Sequence, residues 1–410
     1  MNKKWNYVPL RQAVDVCDTQ RKPINSKERS ARIAGKELNE LYPYYGATGQ
    51  VGYIDGYITD GEYVLLGEDG APFLNTFAKK AYIISGKAWV NNHAHVLRSK
   101  TNNKFLCYYL NYFNYKGYVS GTTRLKLTQA QMQRILVPVP DIEEQKRIVA
   151  KIEELFSDLD NGVETLKKAK QQLAVYRQAV LKEAFEGKFT IHTPCNVELP
   201  WASKEDTKSL PDIPQEWQYI ALSNLGDLGR GKSKHRPRND PKLFDGGKYP
   251  FLQTGEVKAA KQYITEYSKM YGEFGLQQSK LWPKGTLCIT IAANIAETAF
   301  LGIDACFPDS VVGFTPYEHI LPEYVKHFIE SQKLRLWAFA PATAQKNINL
   351  DTLENLIVPY CSVEEQKAVI SEIEARMTIC DNIEKTVDTA LQQAEAMRQS
   401  ILKKAFEGEL

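Results

Sequence analysis

Glu143-Glu144-Gln145-Lys146 returns 221 residues later as Glu364-Glu365-Gln366-Lys367, and this recurrence decides how the chain is read. The same offset relates Ala184-Phe185-Glu186-Gly187 to Ala405-Phe406-Glu407-Gly408, and Ile135-Leu136-Val137-Pro138 to Leu356-Ile357-Val358-Pro359. The openings Trp5-Asn6-Tyr7-Val8-Pro9-Leu10 and Trp217-Gln218-Tyr219-Ile220-Ala221-Leu222 also correspond. The chain is a duplicated unit, each copy a globular part followed by a tail held in register.

Each tail reads as one long helix. Ile148, Ile152, Leu155, Leu159, Gly162, Leu166, Ala169, Leu173, Tyr176 and Val180 alternate steps of four and three, the spacing that keeps a seam turned toward a partner helix. Val369, Ile373, Arg376, Cys380, Ile383, Val387, Ala390, Ala394, Met397 and Ile401 repeat that phase, with Arg376 and Cys380 as its weak points. Pro140-Asp141 and Cys361-Ser362 precede the helices as stop and N-cap, and Gly187 and Gly408 follow as C-terminal caps. A helix of about 45 residues, on the order of 68 Å, cannot bury such a stripe alone in water. The other copy is the obvious mate. The first helix delivers the chain into the second globular part and the second helix leaves from it, so the pair should run antiparallel.

The expected fold is therefore α+β. Two α/β domains with mainly antiparallel sheets are separated by two long antiparallel coiled-coil helices, with pseudo-two-fold symmetry. The expected layout is a domain over 1–140, a helix over 141–187, a proline-containing linker over 188–215, a second domain over 216–361 and a helix over 362–410. Runs such as Tyr63-Val64-Leu65-Leu66 and Leu287-Cys288-Ile289-Thr290-Ile291 supply the strands.

At 410 residues the chain exceeds one ordinary core, and 43% hydrophobic with 25% charged residues suits a globular protein. No stretch approaches the roughly 18 apolar residues of a membrane span, and Met1-Asn2-Lys3-Lys4-Trp5 lacks an apolar signal core. The expectation is a cytoplasmic protein with no membrane partner. Seven scattered cysteines, none in a Cys-x-x-Cys pair, read as reduced thiols. His93-Ala94-His95 has no third ligand at a recognisable spacing, so no metal is expected.

A net charge of +3 says little, but its distribution is uneven. Arg21, Lys22, Lys27, Arg29, Arg32 and Lys36 cluster against Glu28 alone, and Arg230, Lys232, Lys234, Arg236, Arg238 and Lys242 against Asp240 alone. Such paired basic loops neutralise phosphates, which gives affinity without sequence information. Reading bases requires amide, guanidinium and aromatic groups. The candidate nucleic-acid contacts are Lys22, Lys27, Arg29, Arg32, Tyr45, Thr48, Asn91, Asn92, His93, Arg124 and Lys126 in the first copy. In the second they are Lys232, Lys234, His235, Arg236, Arg238, Gln253, Gln345, Lys346 and Asn347.

Two catalytic-looking patterns are set aside. Gly226-Asp227-Leu228-Gly229-Arg230-Gly231-Lys232-Ser233 spells a phosphate loop, but Pro237 and Pro241 stand where its helix should open. Asp245 with Glu256-Val257-Lys258 resembles a nuclease triad, yet the first copy has no acids there. Glu68-Asp69-Gly70 reads as a turn, and no catalytic residue is nominated.

Taken together, the chain resembles the specificity subunit of Type I restriction-modification systems over essentially its whole length. The paired Val/Ile-Pro…Glu-Gln-Lys starts, the Ala-Phe-Glu-Gly exits, Gly121-Thr122-Thr123 and Ala342-Thr343-Ala344-Gln345 carry the resemblance. The segments 42–49, 89–95 and 249–255 look like target-recognition segments. The resemblance implies a non-catalytic, sequence-specific DNA-binding subunit, each target-recognition domain reading one half of a bipartite target in double-stranded DNA. The helices would set the spacer and dock two methyltransferase subunits, and restriction/translocase subunits would join them. S-adenosylmethionine, ATP and Mg²⁺ are expected on those partners and none on this chain. The competing reading is a protein-interaction scaffold with two modules on a coiled-coil rod.

Overall fold

A computed structural model describes residues 5–195, 197–339 and 347–410. Gln345, Lys346 and the segment 342–345 lie outside the described residues. The chain forms two compact units, Met1–Ala169 with Thr386–Leu410, and Lys170–Lys385.

In the first unit the continuous apolar run Tyr63–Gly67 is buried on both faces. It pairs antiparallel with Ala94–Ser99 and Ala81–Ile84, and Val14–Val16 completes the four-stranded sheet. A three-stranded sheet follows the order Gln50–Ile54, Tyr42–Tyr45, Trp89–Val90, its last pair parallel. The second unit repeats this plan. Leu287–Thr290 lies between Val311–Pro316 and Thr298–Leu301, with Gly226–Arg230 beyond and Tyr263–Ile264 added at the far edge. Tyr249–Phe251 pairs antiparallel with Lys269–Tyr271 and parallel with Ala305–Cys306, to which Leu281–Trp282 is added. A two-stranded ribbon closes each unit, Tyr7–Pro9 with Leu136–Pro138 and Gln218–Ala221 with Ile357–Tyr360.

The long helices span Ile142–Phe185 and Val363–Glu407. Asp141 Oδ1 accepts from the Glu144 N–H at 2.9 Å and Ser362 Oγ from the Glu365 N–H at 3.3 Å, capping both starts. The repeated glutamine explains the repeated motif. Gln145 donates to the Pro140 carbonyl and Gln366 to the Cys361 carbonyl, each at 2.9 Å. Their side-chain oxygens accept from Thr101 Oγ1 and the Leu321 N–H, both at 2.9 Å, which ties each helix start to its own unit. The repeated phenylalanine acts at the other end. Phe406 packs edge-on against Phe105 and Tyr109 at 5.3 and 5.2 Å, and Phe185 against Tyr324 and Phe328 at 5.0 and 5.2 Å. Gly187 and Gly408 then take left-handed conformations with φ of 73° and 78°, ending the helices.

Within each unit low-numbered residues of one helix meet high-numbered residues of the other, so the local packing is antiparallel. Ile148 and Ile152 share a core with Ile401 and Ala405, and Leu181 and Ala184 share one with Val369 and Ile373. The seam needs one correction. Ile383 and Met397 are 44% and 54% exposed, while Cys380, Val387, Ala394 and Ile401 are buried. The second row of the seam lies at Met377, Glu384, Leu391 and Arg398, four residues after each buried position rather than three. Glu384 and Arg398 are polar, and their partners lie on the other helix, so a reading of apolar spacing slides past them. Of the other seam candidates, Leu155, Leu159, Leu166 and Leu173 are half-buried and Val369 and Ile373 buried. Among the described residues no helix is long and apolar enough to cross a membrane.

Candidate nucleic-acid interface

The basic segment of the first unit is a helix, Ser26–Ile33, capped by the Asn25 side chain. Lys22 and Lys27 are exposed on it or just before it. Arg29 and Arg32 are partly buried and engaged within their own unit. Arg29 donates to the Val51 carbonyl at 3.2 Å and lies over the Tyr44 ring at 4.8 Å. Arg32 bonds Asp55 at 2.6 Å and covers Trp89 at 4.9 Å. These contacts fasten the helix to the three-stranded sheet, and the Arg32 hydrogen bond holds the Asp55 carboxyl below its ordinary range.

Thr48, Asn91, His93 and Arg124 come together instead, lining a cleft of 620 Å³ with Asp69 and Gly70. Arg124 Nε sits 2.8 Å from Asp69 Oδ1 and His93 Nδ1 sits 3.5 Å from Oδ2. Gly70 has φ of 79°, and a Cβ there would come within 3.2 Å of Arg124 Nε, so the glycine lets the guanidinium lie across the turn. Asn91 is buried, its side-chain oxygen accepting from the His93 N–H at 2.8 Å. Tyr45 is half-buried against Tyr82, and Asn92 and Thr48 are exposed.

Beneath the cleft lies a charged network. The buried His95 places Nδ1 2.8 Å from Asp18 and Nε2 3.0 Å from the Leu127 carbonyl. Arg21 pairs with Asp18 at 3.3 Å and with Glu68, which also meets Lys126 at 3.4 Å. Burial opposes ionisation of Asp18, but the hydrogen bonds from His95 and the Val96 N–H and the charges of His95 and Arg21 outweigh it. The carboxyl is held below its usual range. His93 and His95 therefore each face a carboxylate, and no group of three or more His, Cys, Asp or Glu among the described residues could hold a metal.

In the second unit Lys232 and Lys234 are exposed. His235 bonds Asp240 at 2.7 Å, a bond that lowers the Asp240 pKa, and Arg236 donates to the His235 carbonyl at 2.8 Å. Arg238 Nη2 reaches both oxygens of Asp309 at 2.9 and 3.1 Å. Gln253 and Glu256 cap each other across the start of helix Thr254–Ala259, which occupies both side chains. The phosphate-loop look-alike is a strand, Gly226–Arg230, hydrogen-bonded along Val311–Pro316. A Cβ on Gly231 would lie 2.2 Å from the Phe307 carbonyl oxygen, so that backbone is packed rather than open to a ligand.

The strand orders of the two units correspond, apart from the strands Tyr263–Ile264 and Leu281–Trp282 added in the second, while the residues on them differ. An isolated bridge joins Asp69 to Lys126 in the first and Ala292 to Asn347 in the second. Two residues escaped the sequence reading, Asp69 and Asp309. Each carries a guanidinium drawn from a distant segment, and no local pattern marks such a pair.

Residues 2–174 and 214–393 match the Type I restriction modification DNA specificity domain. A putative type I restriction enzyme specificity subunit of Haemophilus influenzae is 27% identical over 396 residues, covering 95% of this chain and 92% of the relative. The EcoBI specificity subunit of Escherichia coli is 28% identical over 302 residues, 71% of this chain and 62% of the relative. Among solved structures, a chain from work on complex assembly and conformational transition of the type I R-M system shares the fold with a TM-score of 0.72. It is 18% identical and covers 100% of this chain and 99% of that one. The HsdS subunit from Thermoanaerobacter tengcongensis gives 0.54 at 16% identity, with 100% and 98% covered. The chain therefore belongs to the type I restriction-modification DNA specificity family, as one of its specificity subunits.

Proposed function

We propose that this chain is the DNA-reading, non-catalytic subunit of a type I complex, each sheet-rich unit recognising one half of a split target. One observation carries the reading: two topologically equivalent units present different residues on the same frame, Asp69 and Lys126 against Ala292 and Asn347. A duplicated frame with unlike edges suits an asymmetric target read in two parts. The long helices set the unspecified spacer and dock two modification subunits, which supply methyl transfer and bind S-adenosylmethionine. Restriction subunits using ATP and Mg²⁺ complete the assembly. The residues that mimic catalytic motifs here serve as strand and helix cap, which supports leaving the chemistry to partners.

Mobility of a random duplex on the full chain, with its modification partner, should weaken steeply as salt rises. Exchanging residues 1–140 for another family member's domain should then change one half of the methylated sequence only. Absence of any binding at low salt would remove the basis for this reading and favour a protein-binding scaffold.

A further inference from the structure

Gly70 and Ala293 occupy the same place in the two units. Asp69 bridges Lys126 and Ala292 bridges Asn347, and Lys126 and Asn347 are themselves 221 positions apart. The match extends one residue back: the Leu127 N–H donates to the Glu68 carbonyl at 2.7 Å, and the Ile348 N–H to the Ile291 carbonyl at 2.9 Å. The residue after the bridge is Gly70 in the first unit, with φ of 79°, and Ala293 in the second, with φ of 63°. Both are left-handed, a conformation that glycine takes freely and an L side chain takes under strain.

Among the described residues Ala296 is the one other non-glycine residue at positive φ, 60°, and its methyl is buried in the core of the second unit. That burial offsets its strain. Ala293 is exposed, so its methyl has no such compensation within the fold. The turn around it is firmly held. The buried Thr290 accepts from the Ala296 N–H through its carbonyl at 2.9 Å and from the Glu297 N–H through Oγ1 at 3.0 Å, and its hydroxyl donates to the Asn294 carbonyl. The Asn294 N–H closes the turn on the Ala292 carbonyl at 2.7 Å. A methyl is thus fixed at the surface where glycine would sit unstrained, and strain kept at an exposed position points to a use for the side chain.

The surroundings say what that use is. In the first unit Asp69 and Gly70 line the cleft with Thr48, Asn91, His93 and Arg124. In the second, the exposed Lys258 places Nζ 3.5 Å from Asn294 Oδ1, so a cation suited to a phosphate stands one residue from the methyl. A methyl gains nothing from the phosphate itself, and the sugar carbons are alike at every position. The base that offers an apolar group on its major-groove edge is thymine, through its C5-methyl, and alanine is among the side chains that meet it.

We propose that Ala293 is a specificity-determining residue that reads the methyl of one thymine in the half-site of the second unit. The inference rests on the DNA-reading role proposed above and adds a base identity to it.

The test begins with selection from a randomised duplex pool by the full chain in complex with its modification partner. The half-site that survives exchange of residues 1–140 belongs to the second unit, and it should contain a fixed A·T pair. Replacing that thymine by uracil, which pairs identically but lacks the methyl, should weaken wild-type binding about three- to fivefold. Ala293→Gly should bind the thymine and uracil duplexes equally, leave the other half-site unchanged, and melt no lower than wild type because its strain is relieved. Ala296→Gly removes a core methyl instead, and should lower the melting temperature with base preference intact. Uracil tolerated by wild type at every position of that half-site overturns the assignment. So does an Ala293→Gly protein that still distinguishes thymine from uracil, and so does equal relaxation by both substitutions, which would make turn geometry rather than methyl contact responsible. A wild-type pool with no enriched sequence would instead refute the DNA-reading role itself.

Discussion

Arg177 in the first long helix lies 2.7 Å from Asp381 in the second, and its copy, Arg398, pairs in the same way with Asp160. Both members of the second pair stand 221 positions from their counterparts, so a single interhelix contact occurs once in each unit. Each arginine also covers an equivalent apolar residue. Arg177 Nη1 is 3.8 Å from Met377 Sδ, and Arg398 lies 5.0 Å over the Phe156 ring.

Because Arg177 is largely covered while Asp381 is exposed, most of its worth is packing of the stem. Arg177→Ala should cost about 1–2 kcal/mol in urea unfolding. A double-mutant cycle with Asp381→Ala should return a coupling of about 0.5 kcal/mol that shrinks as ionic strength rises. A coupling that ignores salt would contradict this division.

The aromatic plugs should matter more. Phe185→Ala and Phe406→Ala each vacate a site enclosed by other rings and should cost about 3–5 kcal/mol. Limited proteolysis should show new cleavage in residues 216–361 for the first variant and in 1–140 for the second. A shared pattern would mean that the plugs are not local.

Gln366 is fully buried, and Gln366→Ala leaves the Leu321 N–H and the His319 and Cys361 carbonyls short of a partner. The expected loss is about 2–4 kcal/mol by chemical denaturation. Gln366→Glu should also destabilise, since a carboxylate cannot donate to either carbonyl.

The pH dependence of the second unit has an identifiable contributor. Glu330 is desolvated, yet hydrogen bonds and charge from His327 and Lys326 bring its pKa down from 4.5 to about 2. A depressed folded value means stability that is complete above about 4.5 and drains as pH falls from there through about 2. The contribution should be on the order of 2 kcal/mol. Thermal melts of wild type and Glu330→Gln should converge across that window, and parallel curves would show that Glu330 contributes nothing.

Inserting seven residues at the same level in both long helices should lengthen the recognised spacer by about 10 Å, or roughly three base pairs. Mapping methylated adenines before and after insertion measures this. Altered half-sites would argue against helices that act only as spacers.

Much of the architecture was legible in the sequence because it is written twice. The duplicated Glu-Glu-Gln-Lys and Ala-Phe-Glu-Gly motifs, the long helices and the two sheet-rich domains follow from repeats and periodicity. The second row of the seam was not legible. Glu384 and Arg398 look like solvent-facing charges until their partners, Arg177 and Asp160, are brought from some two hundred residues away. The grouping of the candidate contact residues was legible in part. Thr48, His93 and Arg124 do share a cleft, but Arg29 and Arg32 are absorbed by tyrosine, tryptophan and aspartate in their own unit. Charge counts along a chain cannot distinguish a cation that is offered from one already engaged. Asp69 passed for a turn residue because its importance comes from Arg124, 55 positions on.

The glutamine anchors have a further consequence. Gln145 and Gln366 grip the main chain at Pro140 and Cys361, and a peptide oxygen is the same whatever side chain accompanies it. A fastening that ignores side-chain identity lets the surrounding lobe drift in composition without working loose. New DNA preferences can then accumulate on a mount that never has to be rebuilt.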